Sequence, residues 1–113
     1  MNPQTEQDLR ELDAWIAGHV MDYRLIKCGE AFICSPSGGI AFTFHPTTDP
    51  AAAMAVLEMC IKDRAVKIED YGSGPVTIYI EQPDGRAVLI THAETLPLAI
   101  CRFARKLFEK GAE

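Results

Sequence analysis

Histidines, cysteines and paired carboxylates are the residues with which this chain could do chemistry. A histidine can move a proton near neutral pH or hold a metal through a ring nitrogen, but a metal site needs several ligands at short, regular spacing. His19, His45 and His92 form no HxxxH or HExxH pair, and no cysteine stands at ligand spacing from any of them. A small-ligand or metal site, or a minor enzyme's site, assembled in space near His45 and His92 is the alternative such a sequence leaves open. The four cysteines, Cys28, Cys34, Cys60 and Cys101, contain no CxxC and are too few to staple a chain of 113 residues. They read as reduced thiols, Cys60 and Cys101 as packed core residues. A Cys28–Cys34 bridge is the competing possibility, because both flank the same expected hairpin. Gly38-Gly39 lacks the GxxxxGK[ST] pattern of a phosphate cradle and reads as a turn, and no nucleophile elbow is present. The expectation is therefore no catalytic residue, no cofactor and no metal.

Carboxylates pair at Glu69-Asp70 and at Glu81 with Asp84, at the ends of a hairpin where solvated turns account for them. A second reading is a contact surface. If Lys67-Glu69 and Thr77-Tyr79-Glu81 come into register, Lys67, Glu69, Tyr79 and Glu81 share one sheet face, flanked by Asp70 and Asp84. These six are the candidate partner-binding residues.

The elements that must position them follow from hydrophobic period and turn chemistry. Thr5 is a plausible helix cap, and from Glu6 to Val20 an apolar stripe of Leu9, Leu12, Trp15, Ile16 and Val20 recurs at helical spacing. Extended runs Tyr23–Ile26 and Ala31–Cys34 precede the cluster Ser35-Pro36-Ser37-Gly38-Gly39, which predicts a long hairpin loop leading into Ile40–Phe44. Asp49-Pro50 then starts a helix reaching about Asp63, with Ala53, Val56, Leu57, Cys60 and Ile61 on its apolar side. Alternation over Ala65–Tyr71, Val76–Glu81 and Arg86–Thr91, separated by Gly- and Pro-containing turns, predicts a three-stranded meander. Thr95 with Pro97 opens the last helix, whose Ile100, Phe103, Ala104, Leu107 and Phe108 share a face, and Gly111 ends it. The fold class is α+β, order α-β-β-α-β-β-β-α, with a mainly antiparallel sheet of about five strands packed by three helices. Leu12, Trp15, Ile16, Val56, Leu57, Ile68, Ile78, Ile100, Phe103 and Leu107 are the expected core.

Composition narrows the class of function. At 113 residues one domain spanning 1–113 and one core are expected, and 48% hydrophobic with 24% charged residues is a globular rather than a disordered balance. A net charge of −5 argues against direct nucleic-acid binding, which needs clustered Lys and Arg to displace counterions. Glu6, Asp8, Glu11 and Asp13 crowd the first helix while Arg102, Arg105, Lys106 and Lys110 crowd the last, in the sense that complements helix dipoles. No secretory pattern opens the chain and no apolar run is long enough for a membrane span, so a cytoplasmic, non-membrane protein is expected.

Three phrases carry a resemblance: Leu9-Arg10-Glu11-Leu12-Asp13 through His19-Val20-Met21, Thr48-Asp49-Pro50-Ala51-Ala52-Ala53 with Val56-Leu57-Glu58, and Leu96-Pro97-Leu98-Ala99-Ile100-Cys101. Together, and in this order, they resemble the phage ABA sandwich domain family. The chain departs from that pattern between Tyr23 and Pro46, where it carries a longer hairpin. The family's name implies helices on both sheet faces, whereas the alternation from Val66 to Glu81 implies that part of one face is open. The resemblance implies a bacteriophage or prophage source and an αβα arrangement, and it brings no catalytic residues to transfer. Small accessory phage proteins often bind and block host proteins, an association of kind rather than a physical inference. The functional expectation is accordingly a non-catalytic protein in the host cytoplasm that binds a host protein or complex, such as a CRISPR nuclease complex of the host's defence. A homodimer through the open sheet face is the structural alternative.

Overall fold

The computed structural model describes residues 6–28, 31–35, 42–62, 64–70, 72 and 74–109, and over 26–28 and 31–35 the backbone alone. Helix α1 spans Glu6–His19, strands β1 and β2 Arg24–Cys28 and Ala31–Ser35, and helix α2 Pro50–Cys60. Strands β3 (Val66–Glu69), β4 (Val76–Glu81) and β5 (Ala87–Ala93) follow, and helix α3 (Leu96–Glu109) closes the order. The element order is the one expected. The single sheet of about five strands is not: β1 and β2 pair with each other, and β3-β4-β5 form a separate three-stranded antiparallel sheet. The first hairpin lies against α1 rather than extending the meander.

β1 pairs with β2 from Arg24↔Ser35 to Cys28↔Ala31, so the two expected extended runs form a hairpin with each other, a pairing the sequence did not lead us to expect. The expected loop and strand over 36–41 lie outside the described residues, as do the Thr5 cap and the Gly111 stop. Phe42–Phe44 forms only a single bridge residue, and edge-on packing of Tyr23 against Phe42 and Phe44, with ring centroids 5.3 Å apart in both cases, holds this stretch to the start of β1.

Helix α2 starts as its sequence dictates. Pro50 occupies the first turn and the Asp49 carboxylate accepts from the Ala51 N–H at 3.1 Å. It stops at Cys60, earlier than Asp63, with the Ile61 N–H closing on the Leu57 carbonyl. At α3, the Thr95 hydroxyl accepts from the Leu98 N–H at 3.4 Å. The β4–β5 turn is closed by the Gly85 N–H on the Gln82 carbonyl at 2.8 Å, and Gly85 at φ +90° occupies the left-handed position that a side chain would strain.

One core joins these elements: Leu12, Ile16 and Ala17 from α1, Val56, Leu57 and Cys60 from α2, Val76 and Ile78 from β4, and Ile100, Phe103 and Ala104 from α3. Ile78 is fully buried while Tyr79 is only partly so, which fixes the expected register of β4. Three expected core residues differ. Trp15 and Leu107 are half-buried against the core, and Ile68, 38% exposed, sits on the outermost strand with no neighbour beyond it among the described residues.

Candidate functional site

The polar face of the meander assembles as its alternation requires. In the β3–β4 ladder Lys67 stands opposite Tyr79 and Glu69 opposite Thr77. The Lys67 ammonium lies 3.6 Å from Glu81, both side chains roughly half-exposed, and the Tyr79 hydroxyl donates to Glu69 Oε2 at 3.2 Å. On the next strand His92 pairs with Thr77, and Thr77 Oγ1 and His92 Nδ1 share a 2.9 Å hydrogen bond. Helix α3 packs against β4 and β5 on the opposite, apolar face. Lys67, Glu69, Tyr79 and Glu81 are thus brought together, with an aromatic ring amid groups of both charge signs. Asp70 and Asp84 go elsewhere. Asp70 accepts from the Gly72 N–H in the β3–β4 turn, and Asp84 accepts from the Arg86 backbone and guanidinium in the β4–β5 turn at the other end of β4.

A second polar cluster was not legible as a site in the sequence. Asp13, read there as one of several acids suited to a helix N-terminus, is completely buried. Its Oδ2 accepts from Arg10 Nη1 at 2.6 Å, and its Oδ1 accepts from the Thr47 backbone N–H at 2.9 Å. His45 Nδ1 lies 2.9 Å from the same Arg10 nitrogen and 3.4 Å from Asp13 Oδ2. A guanidinium only donates, so the shorter contact makes Nδ1 an acceptor and places the imidazole proton on Nε2. The chain from His45 to Asp49 is in turn closed by the Thr48 and Asp49 N–H groups on the His45 carbonyl. Asp13 therefore fastens the segment leading into α2 to α1. The signal was present: Asp13 falls four residues after Leu9 and three before Ile16, on the apolar stripe itself. Thr47 Oγ1 beside it is buried without a hydrogen-bond partner, which costs about 1–3 kcal/mol of desolvation.

The histidines do not converge on one site. His45 belongs to the Asp13 cluster, His92 to the outer sheet face, and His19 stacks on Trp15 at 4.3 Å, with the Arg105 guanidinium over the same indole at 5.2 Å. No group of three metal-ligating side chains occurs among the described residues. Cys60 and Cys101 are buried free thiols. Burial pushes the Cys60 thiol up to about 12, against a smaller opposing pull from Arg64. Cys101 is pushed higher still, first by burial and then by the Asp13 carboxylate and Cys60. Neither is a nucleophile at neutral pH. For the side chains of Cys28 and Cys34 the question of a bridge lies outside the described residues, although the backbone register pairs Cys28 with Ala31 and Cys34 with Leu25 rather than with each other. No helix among the described residues is long and apolar enough to cross a membrane.

The geometry defines a small α+β domain with a packed interior, a buried carboxylate and a polar outer sheet face. The chain belongs to the phage ABA sandwich domain family, whose sequence model matches residues 14–104. The match spans the first hairpin as well as all three meander strands. No curated protein matches it.

Proposed function

We propose that this phage-family protein acts without catalysis, by binding a host protein or protein complex through the outer face of its meander, and that the partner belongs to a host defence system such as a CRISPR nuclease complex. The supporting observation is the face itself: Lys67, Glu69, Tyr79 and Glu81 lie side by side on the side of the sheet away from α3, an aromatic ring amid charges of both signs. Tyrosine supplies contact area with a polar tip at low entropic cost, and such residues are enriched where proteins meet. The net charge of −5 favours encounter with basic surfaces, including grooves built for nucleic acid, where carboxylates can stand in for phosphates. The defence assignment draws on the phage family, and the partner assignment on the face.

Affinity capture from a bacterial host lysate tests both. Wild type should enrich a specific host protein, and a Tyr79→Ala, Glu81→Lys variant of unchanged thermal stability should lose it. Failure to enrich any protein, or retention of the same partner by the variant with the same salt sensitivity, removes this face as the binding site.

A further inference from the structure

The two outer strands of the meander are finished differently. On β5 the carbonyls that face away from β4 are already occupied: Arg102 Nη1 donates to the His92 carbonyl and Lys106 Nζ to the Ile90 carbonyl, each at 3.2 Å. The strand is also irregular, with a register shift opposite Ile78–Ile80 and Leu89 at φ +53°. Bulges and covering cations are the usual means of stopping a sheet from growing. The four-residue β3 has neither a register shift nor a cation bonded to its outward carbonyls among the described residues. The Glu81 N–H bonds the Ala65 carbonyl at 3.0 Å, and hydrogen-bonded pairs alternate along an antiparallel ladder. Lys67 and Glu69 therefore bond inward to Tyr79 and Thr77, while Val66 and Ile68 direct their N–H and C=O groups outward. None of the described hydrogen bonds reaches those outward groups.

We propose that the β3 edge pairs with β3 of a second copy of this chain, antiparallel about a two-fold axis at Ile68, to make one six-stranded sheet. The sequence Val66-Lys67-Ile68-Glu69 is self-complementary in that arrangement. Ile68 faces its own copy as a hydrogen-bonded pair, the pairing its outward backbone groups require, and the exposed isoleucine is covered. Lys67 then stands opposite Glu69 of the second copy, and Glu69 opposite its Lys67. Both are non-hydrogen-bonded pairs, the closer kind, in which opposite charges attract most effectively. A shift of one residue would lose both the charge pairing and the backbone phase. The dimer joins the two polar faces into one surface, but it does not depend on that face having a host partner.

Sedimentation equilibrium of the full chain at roughly 100 μM, where a small interface can still populate a dimer, provides the test. Wild type should be a reversible dimer. Lys67→Glu and Glu69→Lys each place like charges opposite twice, and each should weaken self-association by about tenfold or more. Mixed in equal amounts, the two variants should recover dimers at near wild-type strength, because every cross-strand pair is then of opposite sign. Circular dichroism confirms that each variant is folded, and Ile68→Thr, which keeps a β-branched residue but removes the apolar contact, should also weaken the dimer. A monomeric wild type, single variants that associate as well as wild type, or a mixture no more dimeric than its components overturns the proposal. The capture experiment changes Tyr79 and Glu81 on β4 and leaves the β3 edge intact, so the two ideas fail separately.

Discussion

Two polar clusters of similar composition, one under α1 and one on the open face of the meander, owe their different characters to water. Arg10, Asp13 and His45 contain a cation, an anion and an imidazole, as do Lys67, Glu81 and His92 on the sheet. Asp13 is wholly buried, and the groups around it are fixed by its need for donors. On the meander every charge can turn to solvent, so no pairing is obligatory, and the same residues remain available to another molecule. A buried ion pair is costly to break from one side, whereas an exposed one is nearly free.

The largest expected effect comes from breaking the buried cluster at its cation. Arg10→Ala leaves the Asp13 carboxylate buried with the Thr47 N–H as its remaining close donor, and should cost about 3 kcal/mol. Asp13→Asn removes the charge but keeps an acceptor for Thr47, and should cost about half as much. Urea denaturation of the two variants checks the order. If Asp13→Asn proved the more damaging, the carboxylate would be held chiefly by the backbone N–H and the ion pair would be incidental.

Smaller per pH unit, though it accumulates across the alkaline range, is the response to alkali, which reports how dry the interior is. Cys60 carries a folded pKa raised from 9.0 to about 12, chiefly through burial. Below pH 9 the thiol is protonated in both states and its contribution to stability is complete. Above pH 9 only the unfolded chain releases the proton, so stability should fall between pH 9 and about 12. The slope is up to about 1.4 kcal/mol per pH unit for each such thiol. Cys101, shifted in the same direction, adds to it. Thermal melts across this range should show a shallower decline for Cys60→Ala than for wild type, whatever that variant's stability at neutral pH. Equal slopes would mean that the thiol is hydrated and the core less closed than its packing indicates.

How much of this was legible in the sequence follows the same division between dry and wet. Period and turn chemistry placed all three helices and the meander, because a half-buried strand such as Val76–Glu81 records its two faces in alternation and Asp49-Pro50 records a helix start. The pairing of β1 with β2 was not read, because Tyr23–Ile26 and Ala31–Cys34 are two β-preferring runs that read as one interrupted region, and the loop expected beyond them lies outside the described residues. Ile68 was expected to be buried because alternation reports which face a residue occupies, not whether its strand is central or outermost. Four of the six surface candidates came together because two strands in register suffice to place them. The Asp13 tie was missed because its partners Thr47 and His45 lie 34 and 32 positions away, and only the fold brings them to α1.

The smallest expected effect concerns the outer face, and its smallness makes that face a usable binding surface. Lys67 and Glu81 sit 3.6 Å apart with side chains 51% and 43% exposed, so water competes for both and holding two long side chains in one geometry costs entropy. A double-mutant cycle of Lys67→Ala and Glu81→Ala, followed by urea denaturation, should give a coupling below about 0.5 kcal/mol that vanishes in high salt. A coupling of about 1.5 kcal/mol or more would mean that this pair is fixed much as the Asp13 pair is, and the contrast between the two clusters would collapse. With weak coupling, neither side chain gives up much intramolecular energy when it reorients toward a partner. Changes in partner capture on substituting this face then report lost contacts rather than lost folding.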